Sequence, residues 1–241
     1  MRQAQHPRPA AEERTSATLA RQVHGQLREL LVAGALSPGE KLSLRTIAGS
    51  LGVSVQPVRE AVSRLAADHA LDVLPNRAVR VPLLTLAQFR ELTAIRIAIE
   101  GFAAQRAATS RTRADLRMMR TQELAFRRQQ QRRAPDLGAA VAANHAFHFA
   151  VYRAARLPEL LPIIEGLWLR IGPVLNFDMR SNAARVRIGK AHVCHDRLVA
   201  AIARHDGRGA RAALTADISG AARYIESRGV LPDASHAKET Q

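Results

Sequence analysis

Histidines cluster in two short segments of this 241-residue chain. The segment "NHAFHFAVYRAAR" holds Asn144 and His148, and the segment "HVCHD" holds His195. Side chains four residues apart lie on one face of a helix, so Asn144 and His148 point the same way if their segment is helical. Imidazole nitrogens combined with oxygen donors bind first-row divalent cations. The residue types and their spacing therefore point to metal binding.

A fourth candidate ligand, Asp217, lies on the predicted helix that follows the one carrying His195. Facing helices of a bundle can bring such side chains into one interior site. The predicted set is Asn144, His148, His195 and Asp217. It suits zinc, nickel, manganese or iron, and the sequence does not choose among them. The alternative is that each histidine is an ordinary core residue whose hydrogen bonds are satisfied.

The stretch "LGVSVQPVREAVSRL", residues 51–65, indicates a different chemistry. It predicts a helix that starts at Ser54, with Pro57 tolerated in the first turn. One face of this helix is apolar: Val58, Ala61, Val62 and Leu65. The opposite face is polar: Gln56, Arg59, Ser63 and Arg64. An arginine on an exposed helix face can make a bidentate contact to guanine in the DNA major groove.

The elements around this helix complete a DNA-binding unit. A preceding short helix is predicted after Ser43 and stops at Gly52, so the pair forms a helix-turn-helix. The runs "LDVLP" and "AVRVPLL" flank the turn "PNR" and predict a small hairpin that can act as a wing. The predicted DNA contacts lie on these elements: Arg45, Ser54, Val55, Gln56, Arg59, Arg64, Asn76 and Arg77. The alternative is a three-helix unit with a solvated charged face.

Composition supports a polyanionic partner. The formal net charge is +15, which favours nucleic acid first and an anionic membrane surface second. A single cysteine, Cys194, excludes an intramolecular disulfide and fits a cytoplasmic protein. We find no secretory signal and expect no apolar run that approaches bilayer-spanning length. The arginine-rich segment 111–133 is interpreted as a solvated helix face, with attraction to flanking DNA as the alternative.

The predicted architecture is mostly helical. Residues 1–14 form a disordered arm, 15–82 a winged helix-turn-helix of three helices and a hairpin, and 83–230 an all-helical bundle for effector binding and dimerisation, before a frayed tail at 231–241. The bundle helices are predicted at about 85–109, 111–133, 135–156, 158–176, 182–206 and 208–229.

These segments resemble a known family. "GALSPGEKLSLRTIAGSLGVSVQPVREAVSRLAADHALDVLPNRAVRV" resembles the winged helix-turn-helix of the GntR family of bacterial transcription regulators, and "LTAIRIAIEGFAAQRAA" with the helical remainder is similar to the FCD effector domain of the FadR subfamily. The resemblance covers residues 17–229. It implies a homodimer on a near-palindromic operator in double-stranded DNA, controlled by a small, acidic metabolite with a carboxylate, and acting as a repressor.

The resemblance also assigns roles to residues. Arg45 and Arg59 match family arginines that contact DNA. Arg96 and Glu100 match the family's R-x-x-x-E, which is either an intrahelical ion pair or places Arg96 against the acidic effector. Asn144, His148, His195 and Asp217 stand at the four metal-ligand positions of the family.

Four departures from the family pattern matter. Val55 replaces an arginine, and Ala78 stands where the wing tip has glycine. Asn144 replaces an aspartate ligand, and Asp217 replaces the last histidine ligand. Both replacements keep an oxygen donor, so a site of two histidines and two oxygens remains available.

Three functions were weighed on these grounds: a ligand-responsive transcriptional regulator, a non-specific nucleoid DNA-binding protein, and a helical metalloenzyme. Charge alone suggests the second. The third would need a catalytic motif, and the chain has no HExxH, GxSxG or glycine-rich phosphate loop. The regulator is the function that we predict, with no enzymatic activity and no membrane partner.

Overall fold

The computed structural model describes residues 9–75, 78–181, 183, 186 and 191–233. It divides into two compact units, Met1–Leu31 with Gly39–Pro82 and Val32–Pro38 with Leu83–Gln241. Nine α-helices and three short strands account for most of the described residues. The predicted fold class, a winged helix-turn-helix followed by an all-helical domain, is confirmed.

The first unit contains helices α1 (Pro9–Val32), α2 (Leu44–Leu51) and α3 (Val55–Ala67). Its strands are β1 (Lys41–Ser43), β2 (Asp72–Val73) and β3 (Ala78–Arg80). The strands form an antiparallel sheet in the order β1-β3-β2. The hairpin of β2 and β3 was predicted, whereas β1 was not.

Helix α2 begins and ends as predicted. The Ser43 hydroxyl accepts a hydrogen bond from the backbone N–H of Thr46, and Gly52 adopts the left-handed conformation that ends the helix. Helix α3 begins after Ser54, but the Ser54 side chain makes no capping hydrogen bond. The predicted apolar face of α3, Val58, Ala61, Val62 and Leu65, is buried.

The predicted disordered arm, residues 1–14, is wrong over its second half, because α1 begins at Pro9. Proline is tolerated at the first helical position, and the Ala-Ala-Glu-Glu sequence that follows it has high helix propensity. Residues 1–8 lie outside the described part of the chain, as does the tail from residue 234. Helix α1 ends at Val32, shortly before Gly34, which has a positive φ of 63°.

The second unit is helical throughout its described residues. Its helices are α4 (Leu86–Ser110), α5 (Arg113–Gln131), α6 (Leu137–Ala154), α7 (Leu160–Ser181), α8 (Ala191–Ala203) and α9 (Gly207–Ser227). Helix α9 packs on α4 and α8, and α5 packs on α6. Helices α4 and α5 begin with reciprocal capping boxes at Thr85 and Thr112.

Helix α7 corrects one sequence expectation. Residues Leu160–Arg180 are long and apolar enough to cross a membrane by length and composition alone. The helix nevertheless belongs to the packed interior of the unit, where Ile164, Trp168 and Ile171 join the apolar clusters of the bundle. We therefore interpret α7 as a core helix.

Candidate functional site

The centre of the second unit brings together three of the four predicted metal ligands. His148 on α6, His195 on α8 and Asp217 on α9 place one ligand atom each within 4.8 Å of the others. His148 Nε2 lies 3.3 Å from Asp217 Oδ2, and His195 Nε2 lies 3.8 Å from Asp217 Oδ1. Both histidines are buried. We call this group the three-residue cluster.

Glu123 on α5 orients His195. Its carboxylate lies 2.6 Å from His195 Nδ1, and Glu123 is itself held by Arg127 at 3.2 Å. The Nδ1–H therefore donates to the carboxylate, and the Nε2 lone pair faces the cluster. Within the described structure His195 Nε2 is buried without a hydrogen-bond partner. Such an atom is suited to bind a cation, and a carboxylate behind the ring is the usual support of a metal-binding histidine.

A second chain of polar residues orients His148. Arg96 makes two hydrogen bonds to Glu100, of 2.6 and 3.2 Å, and Tyr152 donates its hydroxyl proton to Glu100. The Tyr152 oxygen lies 3.2 Å from His148 Nδ1. Since the phenol proton goes to Glu100, His148 Nδ1–H must donate to the Tyr152 oxygen. The Nε2 lone pair of His148 then also faces the cluster.

These contacts show that the residues fit a divalent metal. Two imidazole lone pairs and a carboxylate face one another across 3.3 to 3.8 Å, an arrangement that repels unless a cation or proton lies between them. Zinc bonds of about 2.0 to 2.2 Å place neighbouring ligand atoms at comparable separations. Two nitrogens and one oxygen suit zinc and its neighbours in the first transition row. The donor set is thus that of a metal site with positions left for other ligands.

Protonation favours the same conclusion. Burial lowers the pKa of His148 more than its acidic neighbours raise it, so the ring is neutral near pH 7. Burial alone would raise the pKa of Asp217, but its interactions with His148, His195 and Arg96 keep it below its usual value. A neutral histidine and an ionised carboxylate are the forms that bind metals.

The fourth predicted ligand, Asn144, lines the same cavity and is buried. It lies one helical turn before His148 on α6, as the sequence predicted. Its role as a ligand stays a prediction. His145, four residues before Phe149, stacks on that ring at 4.2 Å and is half-buried rather than on the surface.

A cavity of about 510 Å³ opens beside the cluster. His148, Asp217 and Arg96 supply polar groups to its wall. The remaining wall is largely apolar and includes Phe126, Trp168, Leu175, Met179 and Ile218. A mostly apolar cavity with a few converging polar groups is typical of a small-molecule site.

Arg96, the predicted effector-binding residue, forms the intrahelical ion pair that the sequence allowed, and its contact with an effector stays a prediction. It lines the cavity, and its guanidinium is committed to the buried Glu100 and stacks over Trp168 at 5.0 Å. Burial lowers the pKa of Arg96, but Glu100 and Tyr152 leave it raised overall. Its positive charge is therefore neutralised inside the protein before any ligand binds.

Sequence reasoning missed two residues of the site, Glu123 and Tyr152. It named Glu100 but missed that Glu100 bridges Arg96 and Tyr152. Tyr152 carried a signal, since it follows His148 by four residues and so shares its helix face. Glu123 is one of two acidic residues in the arginine-rich segment 111–133. Its inward direction follows from the packing of α5, which the sequence pattern did not resolve.

The first unit presents the predicted DNA-binding residues that the structure describes. Arg45, Ser54, Gln56, Arg59 and Arg64 are exposed, and Val55 is half-buried. Arg59 and Arg64 have no ion pair within 4 Å among the residues that the structure describes. Gln56 is 3.3 Å from Glu60. A row of polar side chains thus covers the solvent face of α3, opposite its buried face.

The wing is described in part. Two predicted contacts, Asn76 and Arg77, lie outside the described residues. Ala78 is the first residue of β3 and pairs with Ser43, so it lies in a strand and not at the tip as predicted. Arg80 pairs with Asp72 across the sheet at 2.9 Å.

Comparisons with known proteins agree with the division of the chain into two units. The family described as bacterial regulatory proteins, gntR family, matches residues 19–81, and the FCD domain matches residues 91–220. The chain is 34% identical over 206 residues to the HTH-type transcriptional regulator McbR of Escherichia coli (strain K12), an alignment that covers 84% of this chain and 90% of McbR.

Solved structures agree at the level of the fold. The structure of E. coli McbR/YncC matches with a TM-score of 0.80 and 31% identity, covering 88% of this chain and 98% of that one. A Rhodococcus sp. RHA1 protein described as a GntR transcriptional regulator matches with a TM-score of 0.70, covering 86% and 97%. At 22% identity, the second likeness concerns the fold alone.

Proposed function

The chain belongs to the GntR family of bacterial regulatory proteins and is a transcriptional regulator with an FCD effector domain, and we propose that it is a metal-dependent repressor whose operator affinity is set by a small carboxylate. The observation that carries the proposal is the three-residue cluster beside a largely apolar cavity, in a chain whose other unit is a DNA-binding domain. The three-residue cluster would bind the metal and, through it, the effector, and the winged domain would bind the operator.

The proposed DNA contacts are those of the polar face of α3 and its neighbours. Arg59 lies in the first half of α3, where a recognition helix reaches base edges, and Arg45 and Arg64 are placed to meet phosphates. The free Ser54 hydroxyl supports a phosphate contact, because it is not used in capping. Val55, Gln56, Asn76 and Arg77 complete the proposed set.

The proposed metal ligands are His148, His195 and Asp217, with Asn144 as the fourth. A bound divalent metal would supply positive charge close to Arg96, whose own charge is neutralised by Glu100. That charge would attract the carboxylate of an effector, while the apolar wall would hold its body. Zinc, nickel, manganese and iron all suit the donor set.

A homodimer on a near-palindromic operator completes the proposal. Helix α4 supports self-association, since Ile95 and Phe102 lie exposed at helical spacing on one of its faces. Effector binding would shift the population between arrangements of two DNA-binding domains that fit or misfit two half-sites. We place this regulator in the cytoplasm, on the nucleoid.

The test is selection of fragmented genomic DNA by the purified, zinc-loaded protein, followed by sequencing. We expect an enriched, near-palindromic sequence, and we expect Arg59→Ala to lose the enrichment while it keeps its fold. Lys41→Ala, an exposed change outside α3, is the matched control. Retention of fragments without sequence preference would refute the operator and favour the nucleoid alternative.

The enzyme alternative rests on the open metal positions alone. The relatives are transcriptional regulators, and no proposed residue near the cluster is placed as a general base. Turnover of small organic acids by the zinc-loaded protein would support that alternative, and we expect none.

A further inference from the structure

A second concave surface adjoins the cavity. It is a groove of about 740 Å³ between α4 and α9, and Arg208, Arg211, Thr215, Ser219, Arg223 and Gln105 line it. Two residues, Ala216 and Arg223, line both the groove and the cavity. The groove therefore continues the cavity toward the surface. We call it the arginine groove.

The phase of helix α9 explains why the two spaces adjoin. Arg208, Arg211, Thr215, Ser219 and Arg223 recur every three or four residues, so they occupy one face. Asp217, Gly220, Ala221 and Tyr224 lie on the opposite face and line the cavity, and Ala216 and Arg223 lie at the boundary between the two faces, where the spaces meet. One helix thus presents the metal-binding carboxylate to one side and a row of arginines to the other.

The arginines of the groove are available to a ligand. Arg208, Arg211 and Arg223 are exposed, and none has an ion pair within 4 Å in the described part of the chain. The acidic residues of α9 and its cap have other roles: Asp206 accepts from the N–H of Gly209, and Glu226 pairs with Arg90. Three guanidiniums on one groove, with hydroxyl side chains between them, suit an oxyanion.

The aliphatic part of the Arg211 side chain lies close to a glycine of α4. A Cβ added at Gly101 on α4 would lie 3.2 Å from Arg211 Cγ, so the missing side chain gives the arginine room to lie across α4. The cavity interior differs in charge, because Arg96 is neutralised by Glu100 and Asp217 adds a carboxylate. Arg223 lines both spaces, and the groove adds Arg208 and Arg211. The other arginine of the described cavity wall, Arg96, is paired with Glu100.

We propose that the arginine groove binds a second anionic group of the effector, so that the effector is a two-ended acid with an apolar middle. One end meets the metal at the three-residue cluster, and the other meets Arg223, which lines both the cavity and the groove. Six residues separate Asp217 from Arg223, a span on the order of 9 Å along the helix axis. This inference rests on the proposed function and specifies the ligand of the same domain.

A pair of acids tests the proposal. Suberate has two carboxylates joined by six methylenes, and octanoate has the same number of carbons and one carboxylate. The single tryptophan of the chain, Trp168, lines the cavity, so its fluorescence reports binding. We would titrate the full-length protein, with and without one equivalent of zinc, with both acids and with succinate, which is too short to span.

We expect suberate to bind about tenfold more tightly than octanoate or succinate, since a charge-assisted hydrogen bond in an exposed groove contributes about that factor. Arg223→Gln should lose the preference for suberate and keep the affinity for octanoate. Arg117→Gln, an equal change of charge on the exposed face of α5, is the control and should keep the preference. Inorganic phosphate should compete with suberate but not with octanoate.

Equal affinities for suberate and octanoate would overturn the proposal, and so would the absence of binding of any of the three acids. An equal loss of both affinities in Arg223→Gln would assign the arginine to packing and overturn the proposal as well. Operator binding is measured separately in the same preparations. A protein that binds its operator but shows no preference for suberate refutes only the proposed anion site in the groove. Failure to select DNA refutes the proposed function, and the acid affinities are still measured independently.

Discussion

Substitution of Glu123 tests the interpretation that a carboxylate prepares His195 for a metal. Glu123 is buried on α5, and its carboxylate lies 2.6 Å from His195 Nδ1. Glu123→Gln keeps the shape and can still accept the hydrogen bond, but it removes the negative charge that makes the ring a stronger donor to a metal. Glu123→Ala also removes the acceptor and leaves Nδ1 unsatisfied in the interior.

The expected magnitude follows from these contacts. Loss of an outer partner of a metal-binding histidine typically lowers metal affinity by about 10- to 100-fold. We expect about 10-fold for Glu123→Gln, which retains geometry, and about 100-fold for Glu123→Ala, which does not. These factors correspond to about 1.4 and 2.8 kcal/mol of binding free energy.

The assay is competition for zinc between the protein and a chromophoric chelator of known affinity. Asp196→Asn is the matched control, because Asp196 also pairs with Arg127, at 2.6 Å, but its side chain is 56% exposed. An exposed ion pair contributes little, so we expect the control to stay within about twofold of the parent. Equal zinc affinities for the parent and both Glu123 variants would refute the orienting role of this carboxylate.

Four further predictions concern the same features. Tyr152→Phe removes the hydroxyl between Glu100 and His148, and we expect zinc affinity to fall about 10-fold in the chelator assay. Glu100→Ala leaves the Arg96 guanidinium buried and unpaired, and urea unfolding should show a loss of about 3 to 5 kcal/mol, whereas Arg90→Ala, which breaks an exposed pair, should cost far less. Burial lowers the pKa of His145 to about 4, so the unfolded chain, with the ordinary value near 6.5, binds more protons between these values. The free energy of unfolding of the metal-free protein should therefore fall as the pH falls from 6.5 to 4, and a smaller pH-dependent loss is expected for His145→Gln; an unchanged slope would contradict the assignment. Val55→Arg should add a phosphate contact, which should steepen the slope of log K for DNA binding against log salt concentration by about 0.9. An unchanged slope would show that residue 55 does not contact the DNA phosphates.

Local sequence patterns were sufficient for most of the fold. The apolar residues of α3 and the glycine after α2 are determined within a few positions, so their periodicity and turn chemistry predicted them. Strand β1 was missed, because three residues carry no periodicity and its pairing with β3 is set by contacts some 37 positions away in sequence. The start of α1 was misplaced, because prolines and charges were interpreted as an arm while the residues after Pro9 favour a helix.

The site was predictable where it lies on one helix and less so where it depends on packing. The four-residue spacing of Asn144 and His148 fixed their common face from the sequence alone. The convergence of His148, His195 and Asp217 needed the order of helices in a bundle, which the family resemblance implied and the structure now describes. The spacing of Tyr152 from His148 on α6 was a usable local signal, whereas the direction of Glu123 depends on how α5 is rotated against its neighbours, which no local pattern encodes.

Operator affinity with and without metal tests the central claim most directly, since the claim is that the three-residue cluster controls DNA binding. We would measure the Kd for the selected operator for the parent protein and for His195→Ala, each with one equivalent of zinc and after chelation, and monitor helix content throughout. We expect chelation to change the Kd of the parent by at least about fivefold and that of His195→Ala by less than about twofold. A parent protein that binds zinc and has the same operator Kd with and without it would contradict the account.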